Sequence, residues 1–145
     1  MTEHDQATAT ANKRLVERYH RRLWEDGDLS AIDEVFADDA VVHFSGWDGS
    51  AVQTVRDDAA RYRAAFDDIS TTILALIAED DRVVLHWTTR GTHIGGYGAV
   101  AATGKAIDMS GIDIFRLREG QIVECWSVWD GIDVYDQMGA LPELW

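Results

Sequence analysis

The residues best suited to chemistry lie in the last third of the chain, where a tryptophan-rich strand ends on a carboxylate. Segment 121–130 has the sequence QIVECWSVWD and follows segment 111–118 across a tight turn at Glu119-Gly120. A carboxylate beside large aromatic side chains is poorly solvated, which raises its pKa and suits it to moving protons. We therefore predict Asp130 as the general acid and base; the alternative is a strand-end carboxylate that caps the next segment.

Side chains alternate between the two faces of a strand, so Trp126 and Asp130 share one face while Cys125 and Trp129 share the other. We expect Trp126 and Asp130 to face an internal pocket. Trp129 is then expected on the outer face or against a partner subunit. A β-bulge in this strand would exchange the two assignments.

Three histidines are the next candidates. His43 and His86 lie in strand-like segments, on the face opposite their apolar neighbours, and His93 follows a strand beside several glycines. A neutral imidazole can hold a substrate carbonyl or stabilise an enolate oxygen, so we predict that at least one of them lines the pocket. The alternative for each is an ordinary surface or core histidine. No His-x-His spacing occurs and Cys125 is the only cysteine, so no metal site is expected.

Large aromatic side chains are frequent, with six tryptophans in 145 residues. Their flat surfaces suit a fused aromatic substrate, because offset stacking is favourable. Ordinary packing in the core or at a subunit interface is the alternative. The aromatic residues predicted to contact substrate are Tyr19, Trp24, Phe44, Trp47, Tyr62, Phe115 and Trp126.

Composition limits the partners and the location. The chain is 46% hydrophobic with a formal net charge of −13, which is enough apolar content for a core and disfavours nucleic acid and anionic membrane surfaces. No apolar run approaches the ~20 residues that cross a bilayer, and no signal-peptide pattern is seen. The single cysteine fits a reducing compartment. We predict a cytoplasmic protein with a flexible segment at 1–11 and one domain over 12–145.

The order of elements predicts the fold class. Leu15, Tyr19 and Leu23 recur at four-residue intervals, which indicates an amphipathic first helix; Ser30 is placed to cap a second helix and Ser50 a third. A short strand at 40–44 precedes the third helix, and strands at 71–78, 82–92, 105–117 and 121–130 follow it. Helices before an antiparallel meander indicate an α+β fold, with N-terminal helices packed on a curved, mostly antiparallel sheet. Such a sheet encloses a concave space of the kind that small molecules occupy.

Several short motifs, taken in order and spacing, resemble one family over about residues 12–142. They are Gly27-Asp-Leu29, Phe36-Ala-Asp-Asp39, Gly91-Thr-His93, Thr103-Gly-Lys105, Gly111-Ile-Asp-Ile-Phe-Arg116, Asp130 and Gln137-Met-Gly139. The chain is similar to the SnoaL-like polyketide cyclases of the nuclear-transport-factor-2-like superfamily. The resemblance implies a cone-shaped α+β barrel that is commonly oligomeric and works without metal or organic cofactor. In these cyclases an aspartate near the end of the last strand is the acid and base of an intramolecular aldol ring closure, and its position matches Asp130.

The resemblance therefore favours a cyclase that acts on a small, hydrophobic, polyketide-derived aromatic substrate. Two alternatives remain. Opening or hydrolysing an epoxide would be favoured by a second carboxylate, which Glu124 or Asp113 could supply. A non-catalytic ligand-binding or assembly module is the other. We also expect a homodimer or higher oligomer through the outer sheet face, with Trp129 and Cys125 contributing.

Overall fold

The computed structural model describes residues 2–44 and 46–142. The last three residues of the predicted domain, 143–145, lie outside this range. The elements, in chain order, are α1 (Glu3–His20), a π-helical turn (Arg21–Glu25), α2 (Ser30–Val35), β1 (Phe36–Phe44), β2 (Trp47–Ser50), α3 (Ala51–Ala65), β3 (Phe66–Glu79), β4 (Arg82–His93), β5 (Ala106–Arg118), β6 (Gln121–Trp129) and α4 (Gly131–Gln137).

The first helix begins earlier than the sequence pattern suggests. Thr2 is its N-cap: the Asp5 backbone N–H donates to Thr2 Oγ1 at 3.2 Å, and the Thr2 backbone N–H donates to Asp5 Oδ2 at 3.1 Å. This capping box satisfies two backbone N–H groups at the helix N-terminus. The polar residues after Thr2 can therefore be helical although they have no apolar face to bury. Much of segment 1–11 is therefore helical, and its flexibility stays a prediction.

The helices cover one side of the sheet through their apolar faces. Val16, Tyr19 and Leu23 are buried where α1 and the π-helical turn pack against β3 and β4. Helix α3 packs against β1, and Ser50 caps it as predicted, accepting the Gln53 backbone N–H at 3.3 Å. Among the described residues, no helix is both long and apolar enough to cross a membrane.

In residues 2–44 and 46–142 the sheet has six strands in the order β2-β1-β6-β5-β4-β3, and only the β1–β6 pair is parallel. The β5–β6 hairpin turns at Glu119 and Gly120, both with positive φ (51° and 76°), as a type I′ turn requires. Asp80 has φ 54° in the β3–β4 turn. These observations confirm the α+β prediction of helices on a curved, mostly antiparallel sheet.

A β-bulge near the start of β6 decides which side chains face the helices. Leu117 pairs with Ile122 but Arg116 pairs with Glu124, so β6 has one extra residue at Val123. Ile122 is therefore buried on the inner face although Glu124, two residues later, lies on the outer face. Every side chain beyond the bulge lies on the face opposite to the one that uninterrupted alternation from Ile122 would give.

Candidate active site

A cavity of about 130 Å³ lies between the inner face of the sheet and the helices. It opens into an outer vestibule of about 470 Å³ that shares Phe44, Ser127 and Trp129 with it and adds Trp47. The walls of the inner cavity are mainly aromatic. Its large aromatic residues are Tyr19, Trp24, Phe44, Tyr62, Trp87, Tyr97, Phe115 and Trp129.

Asp113 on β5 places a carboxylate in this cavity. Ser127, its partner across the β5–β6 ladder, donates from Oγ to Asp113 Oδ1 at 2.6 Å. Trp87 on β4 donates from Nε1 to Oδ2 at 2.9 Å. The indole reaches Asp113 because it crosses the backbone of Gly111, where a Cβ atom would lie 2.5 Å from Trp87 Cζ2. Both oxygens of the carboxylate are thus oriented by donors from neighbouring strands.

Burial sets the protonation of Asp113. The surrounding protein atoms disfavour the charged form and raise its pKa to about 6, against the opposite effect of the hydrogen bonds from Ser127 and Trp87. Near neutral pH most molecules therefore carry an ionised Asp113 that readily takes up a proton. Burial also raises the pKa values of Cys125 and Tyr19, which line the same cavity and stay protonated.

His20 also lines the cavity, and the sequence reasoning missed it. Its Nε2 lies 2.8 Å from Thr71 Oγ1, and burial lowers its pKa to about 4, so the ring is neutral at pH 7. A signal was present in the sequence: His20 follows Val16 by four residues and precedes Leu23 by three. It therefore lies on the apolar face of the helix, where a histidine is buried.

One ion pair lies where the cavity meets the vestibule. Arg61 donates to Asp58, and its guanidinium lies 5.9 Å from the centre of the Tyr97 ring. Asp58 and Arg61 line both the cavity and the vestibule, and burial raises the pKa of Asp58. The opening thus has an acidic and a basic side chain among aromatic surfaces.

The prediction that Asp130 and Trp126 face the pocket is wrong. Asp130 is exposed and caps α4, accepting the Asp133 backbone N–H at 3.0 Å, which was the alternative for this residue. Trp126 lies on the outer face, stacked on His43 with ring centres 5.3 Å apart. The bulge at Val123 is the physical reason, since it reverses the parity of β6.

The reversed alternation of β6 also changes the two residues that were expected to contact a partner subunit. Cys125 and Trp129, predicted for an outer interface, line the cavity. Oligomerisation itself stays a prediction.

The three predicted histidines do not line the cavity. His43 lies on the outer face, where its Nδ1 donates to Asp48 Oδ1 at 2.6 Å and its Nε2 donates to Glu124 Oε2 at 2.7 Å, and these bonds raise its pKa. His86 is half-buried on the outer face of β4, because the residues on either side of it face inward. His93 is fully buried outside the cavity wall, stacked on Phe66 at 5.3 Å.

Six of the seven residues predicted to contact substrate line the cavity or the vestibule. Of that set, Trp47 lines the vestibule and Trp126 lines neither space. The side chains that line the inner cavity are those of Tyr19, Trp24, Phe44, Tyr62 and Phe115. Helical spacing identified Tyr19, because an apolar helical face must pack toward the sheet, whereas Trp24 was chosen for its flat aromatic ring. Their binding of substrate stays a prediction.

Comparison with known proteins agrees with this geometry. Residues 14–138 match the SnoaL-like polyketide cyclase family. AclR from Streptomyces galilaeus, a proposed hydroxylase, is similar in structure with a TM-score of 0.85 and 26% identity, over 94% of this chain and 85% of that one. A proposed polyketide cyclase from Acidithiobacillus ferrooxidans has a TM-score of 0.77 and 27% identity, over 89% and 94%. IdmH from Streptomyces antibioticus, also a proposed polyketide cyclase, has a TM-score of 0.68 and 27% identity, over 85% and 97%.

No curated protein matches the sequence. The family match nevertheless extends over most of the chain, and the fold is the nuclear-transport-factor-2-like cone. The chain belongs to the SnoaL-like polyketide cyclase family.

Proposed function

We propose that this protein closes a ring in a polyketide-derived aromatic substrate by acid–base catalysis, with Asp113 as the group that moves the proton. The observation that carries the proposal is a carboxylate with a pKa raised to about 6, oriented by two donors inside an aromatic cavity. The reaction type is the one predicted from the sequence, but the acid and base is a different residue and the three predicted histidines have no part in it. Asp113 takes the role because it lines the cavity, whereas Asp130 is exposed.

The proposed reaction is an intramolecular aldol addition. Ionised Asp113 removes a proton from a carbon flanked by carbonyl groups, and the enolate carbon attacks a second carbonyl carbon of the same molecule. A carbon–carbon bond forms, the carbonyl π bond becomes an alkoxide, and protonated Asp113 returns the proton to that oxygen. The product has the mass of the substrate. A pKa near the working pH suits both transfers, because the same group must accept and then release the proton.

The neighbours of Asp113 support these steps by position. Ser127 and Trp87 each hold one carboxylate oxygen, which fixes the direction of the remaining lone pairs. The aromatic walls exclude water, so the charges that develop on substrate oxygens interact more strongly than they would in solution. Cys125 and Tyr19 stay protonated and do not compete as bases.

The decisive experiment compares Asp113→Asn with Asp130→Asn in a mass-resolved turnover assay on anthraquinone-type β-keto esters. Asn keeps the size of Asp and removes the base. We expect Asp113→Asn to lose about 100-fold or more of kcat, the range of a general acid–base contribution. Asp130→Asn should keep near wild-type turnover, because that carboxylate only caps α4. Near wild-type turnover by Asp113→Asn would refute the assignment, and the reverse pattern would restore Asp130.

A second candidate, epoxide opening, is favoured by one observation. Asp58 lines the same cavity as Asp113, and burial raises the pKa of both carboxyl groups. One could protonate an epoxide oxygen while the other activates water. Glu124, named from sequence as a second carboxylate, lies instead on the outer face with His43. With epoxide substrates, a product heavier than the substrate by one water, formed by the wild-type protein but not by Asp58→Asn, would select this reaction. Binding of substrates without any turnover would instead indicate a ligand-binding module.

A further inference from the structure

The two connected spaces of the site differ in size. The inner cavity that holds Asp113 has a volume of about 130 Å³, whereas the vestibule outside it has about 470 Å³. An engineered apolar cavity of about 150 Å³ holds a single benzene molecule. The inner cavity therefore has room for one six-membered ring beside the carboxylate. A substrate with several fused rings must extend into the vestibule.

The vestibule is lined by large apolar side chains that are left exposed. Trp47 and Trp129 are 50% and 38% exposed, and Val128, which lines the same space, is 56% exposed. Among the residues that the structure describes, these are the two most exposed tryptophans. An exposed apolar surface that continues from a cavity and has polar residues at its edge marks a place where a ligand binds.

Neighbouring residues hold the two indole rings in place. The ring of Trp47 lies against the backbone of Gly49, where a Cβ atom would be 2.6 Å from Trp47 Cη2, and its centre is 5.9 Å from that of Phe44. The ring of Trp129 lies over Gly131, where a Cβ atom would be 3.1 Å from Trp129 Cζ2. Rings that are already fixed lose little conformational freedom when a ligand stacks on them.

The junction between the two spaces adds a flat cation to these walls. Arg61 lines both spaces, its guanidinium lies 5.9 Å from the centre of the Tyr97 ring, and it donates to Asp58. Indole rings stack on aromatic faces, and a guanidinium is attracted to them. A saturated chain gains only the burial of apolar surface. The walls therefore favour a flat aromatic extension of the ligand over an aliphatic tail of similar size.

We propose that the vestibule is a second binding subsite, which holds an aromatic extension of the substrate on Trp47 and Trp129 while a single ring enters the inner cavity. The substrate class is then an elongated polycyclic molecule whose reacting ring is at one end. This rests on the proposed function in taking the ring beside Asp113 to be the one that reacts. Trp47 lines only the vestibule, so its contribution to affinity should depend on the length of the ligand.

The test compares the affinities of three ligands by isothermal titration calorimetry. 2-Hydroxyacetophenone has one ring, 1-hydroxyanthraquinone has three fused rings, and 5-hexyl-2-hydroxyacetophenone has one ring with an aliphatic tail. Each has a hydroxyl beside a carbonyl, so the end that enters the inner cavity is matched. We expect the wild-type protein to bind the three-ring ligand at least about tenfold more tightly than the one-ring ligand, with the hexyl ligand between them. Equal affinities for the one-ring and three-ring ligands would overturn the proposal.

Variants of Trp47 separate the subsite from a general gain in hydrophobic contact. Trp47→Leu keeps an apolar side chain but removes the flat ring, so the three-ring ligand should bind about tenfold more weakly while the one-ring and hexyl ligands stay within about twofold. Trp47→Phe keeps a flat ring and should restore most of the affinity. Trp126→Leu, on the outer face, is the matched control and should leave all three affinities within about twofold. An equal loss for the one-ring and three-ring ligands in Trp47→Leu, or no loss for either, would also overturn the subsite.

Failure of the subsite and failure of the proposed reaction give different results. Asp113→Asn should keep the preference for the three-ring ligand while losing turnover, because the two readouts depend on different residues. If the wild-type protein shows the preference, and Trp47→Leu loses it, but no substrate is turned over, the reaction is wrong and the subsite stands. If the wild-type protein turns over substrate and Trp47→Leu changes neither affinity, the subsite is wrong and the reaction stands.

Discussion

The two faces of the β5–β6 hairpin each hold a carboxylate between two donors, yet the carboxylates behave in opposite ways. On the outer face, Glu124 accepts from His43 Nε2 at 2.7 Å and from Arg116 Nε at 2.9 Å. These bonds hold the pKa of Glu124 below its usual range. On the inner face, Asp113 also accepts two hydrogen bonds, and its pKa is raised to about 6.

The number of hydrogen bonds does not explain this difference. The donors to Glu124 lie near solvent and include the charged guanidinium of Arg116, so they stabilise its ionised form with little loss of hydration. The donors to Asp113 are neutral, and the aromatic wall replaces the water that would solvate the charge. The two carboxylates on one hairpin thus accept the same number of hydrogen bonds but have pKa values shifted in opposite directions. Of these two, Asp113 is the one that can exchange a proton near neutral pH.

The largest expected effect separates the two faces by activity. Asp113→Asn should reduce kcat about 100-fold or more, while Glu124→Gln should leave it within about threefold. Both substitutions remove a negative charge at nearly constant volume, so they are matched. The measurement is the mass-resolved turnover assay under saturating substrate. A comparable loss of kcat in both variants would mean that the two faces are coupled and that the inner carboxylate is not the distinct proton-transfer group.

The donors to Asp113 offer a second test, through the pH profile. With Asp113 as the base, kcat/KM should rise with pH through an apparent pKa of about 6. Ser127→Ala removes a donor that favours the ionised form, so the rising limb should move to higher pH by about one unit. Glu124→Gln, on the outer face, should leave the limb in place. A limb unmoved by Ser127→Ala would show that Asp113 is not the titrating group.

The free energy of unfolding should depend on pH in opposite senses through Asp113 and His20, two titratable residues of the cavity wall. The pKa of Asp113 is raised from 3.8 to about 6, so between these values the folded state holds more protons and the wild-type protein loses stability as pH rises. Relative to wild type, Asp113→Asn should therefore gain on the order of 2 kcal/mol between pH 4 and pH 7. The measurement is urea unfolding across this range.

His20 should change the stability of the protein with pH in the direction opposite to Asp113. Its pKa falls from 6.5 to about 4 on folding, so the folded state holds fewer protons in that window and the wild-type protein gains stability as pH rises. Relative to wild type, His20→Gln should lose stability between pH 4 and pH 7. Parallel curves for the two variants would contradict the buried environments assigned to both residues.

The smallest effect is expected on the outer face. Bonds to Asp48 and Glu124 raise the pKa of His43, so the stability it contributes is complete below pH 6.5 and is lost as pH rises through the raised value. His43→Gln should therefore differ from wild type slightly in mild acid and hardly at all at pH 9, because surface ion pairs contribute little. Thermal unfolding at the two pH values is sufficient. A large difference at pH 9 would show a packing role against Trp126 instead.

Residue patterns predicted the walls of the site better than its chemistry. Tyr19 follows from helical spacing, since the apolar face of an amphipathic helix packs against the sheet. Asp113 was identifiable only as a candidate second carboxylate, because the sequence does not show how much water a side chain loses. The position of His20 on the apolar face of its helix indicated burial, but its hydrogen bond with Thr71, fifty-one positions away, forms only in the folded chain.

The sequence by itself determined the α+β class, the order of most elements, the hairpin turns and the family, because all of these depend on local periodicity and on short motifs kept in order. Tertiary structure alone decided which face of β6 points inward. One extra residue at Val123 reversed that parity, moved Trp126 and Asp130 outside and brought Ser127 to Asp113. A bulge has no strong local signature, since it is defined by pairing with another strand. The pKa of a carboxylate likewise sums the contributions of atoms from several distant elements, and those meet only when the chain has folded.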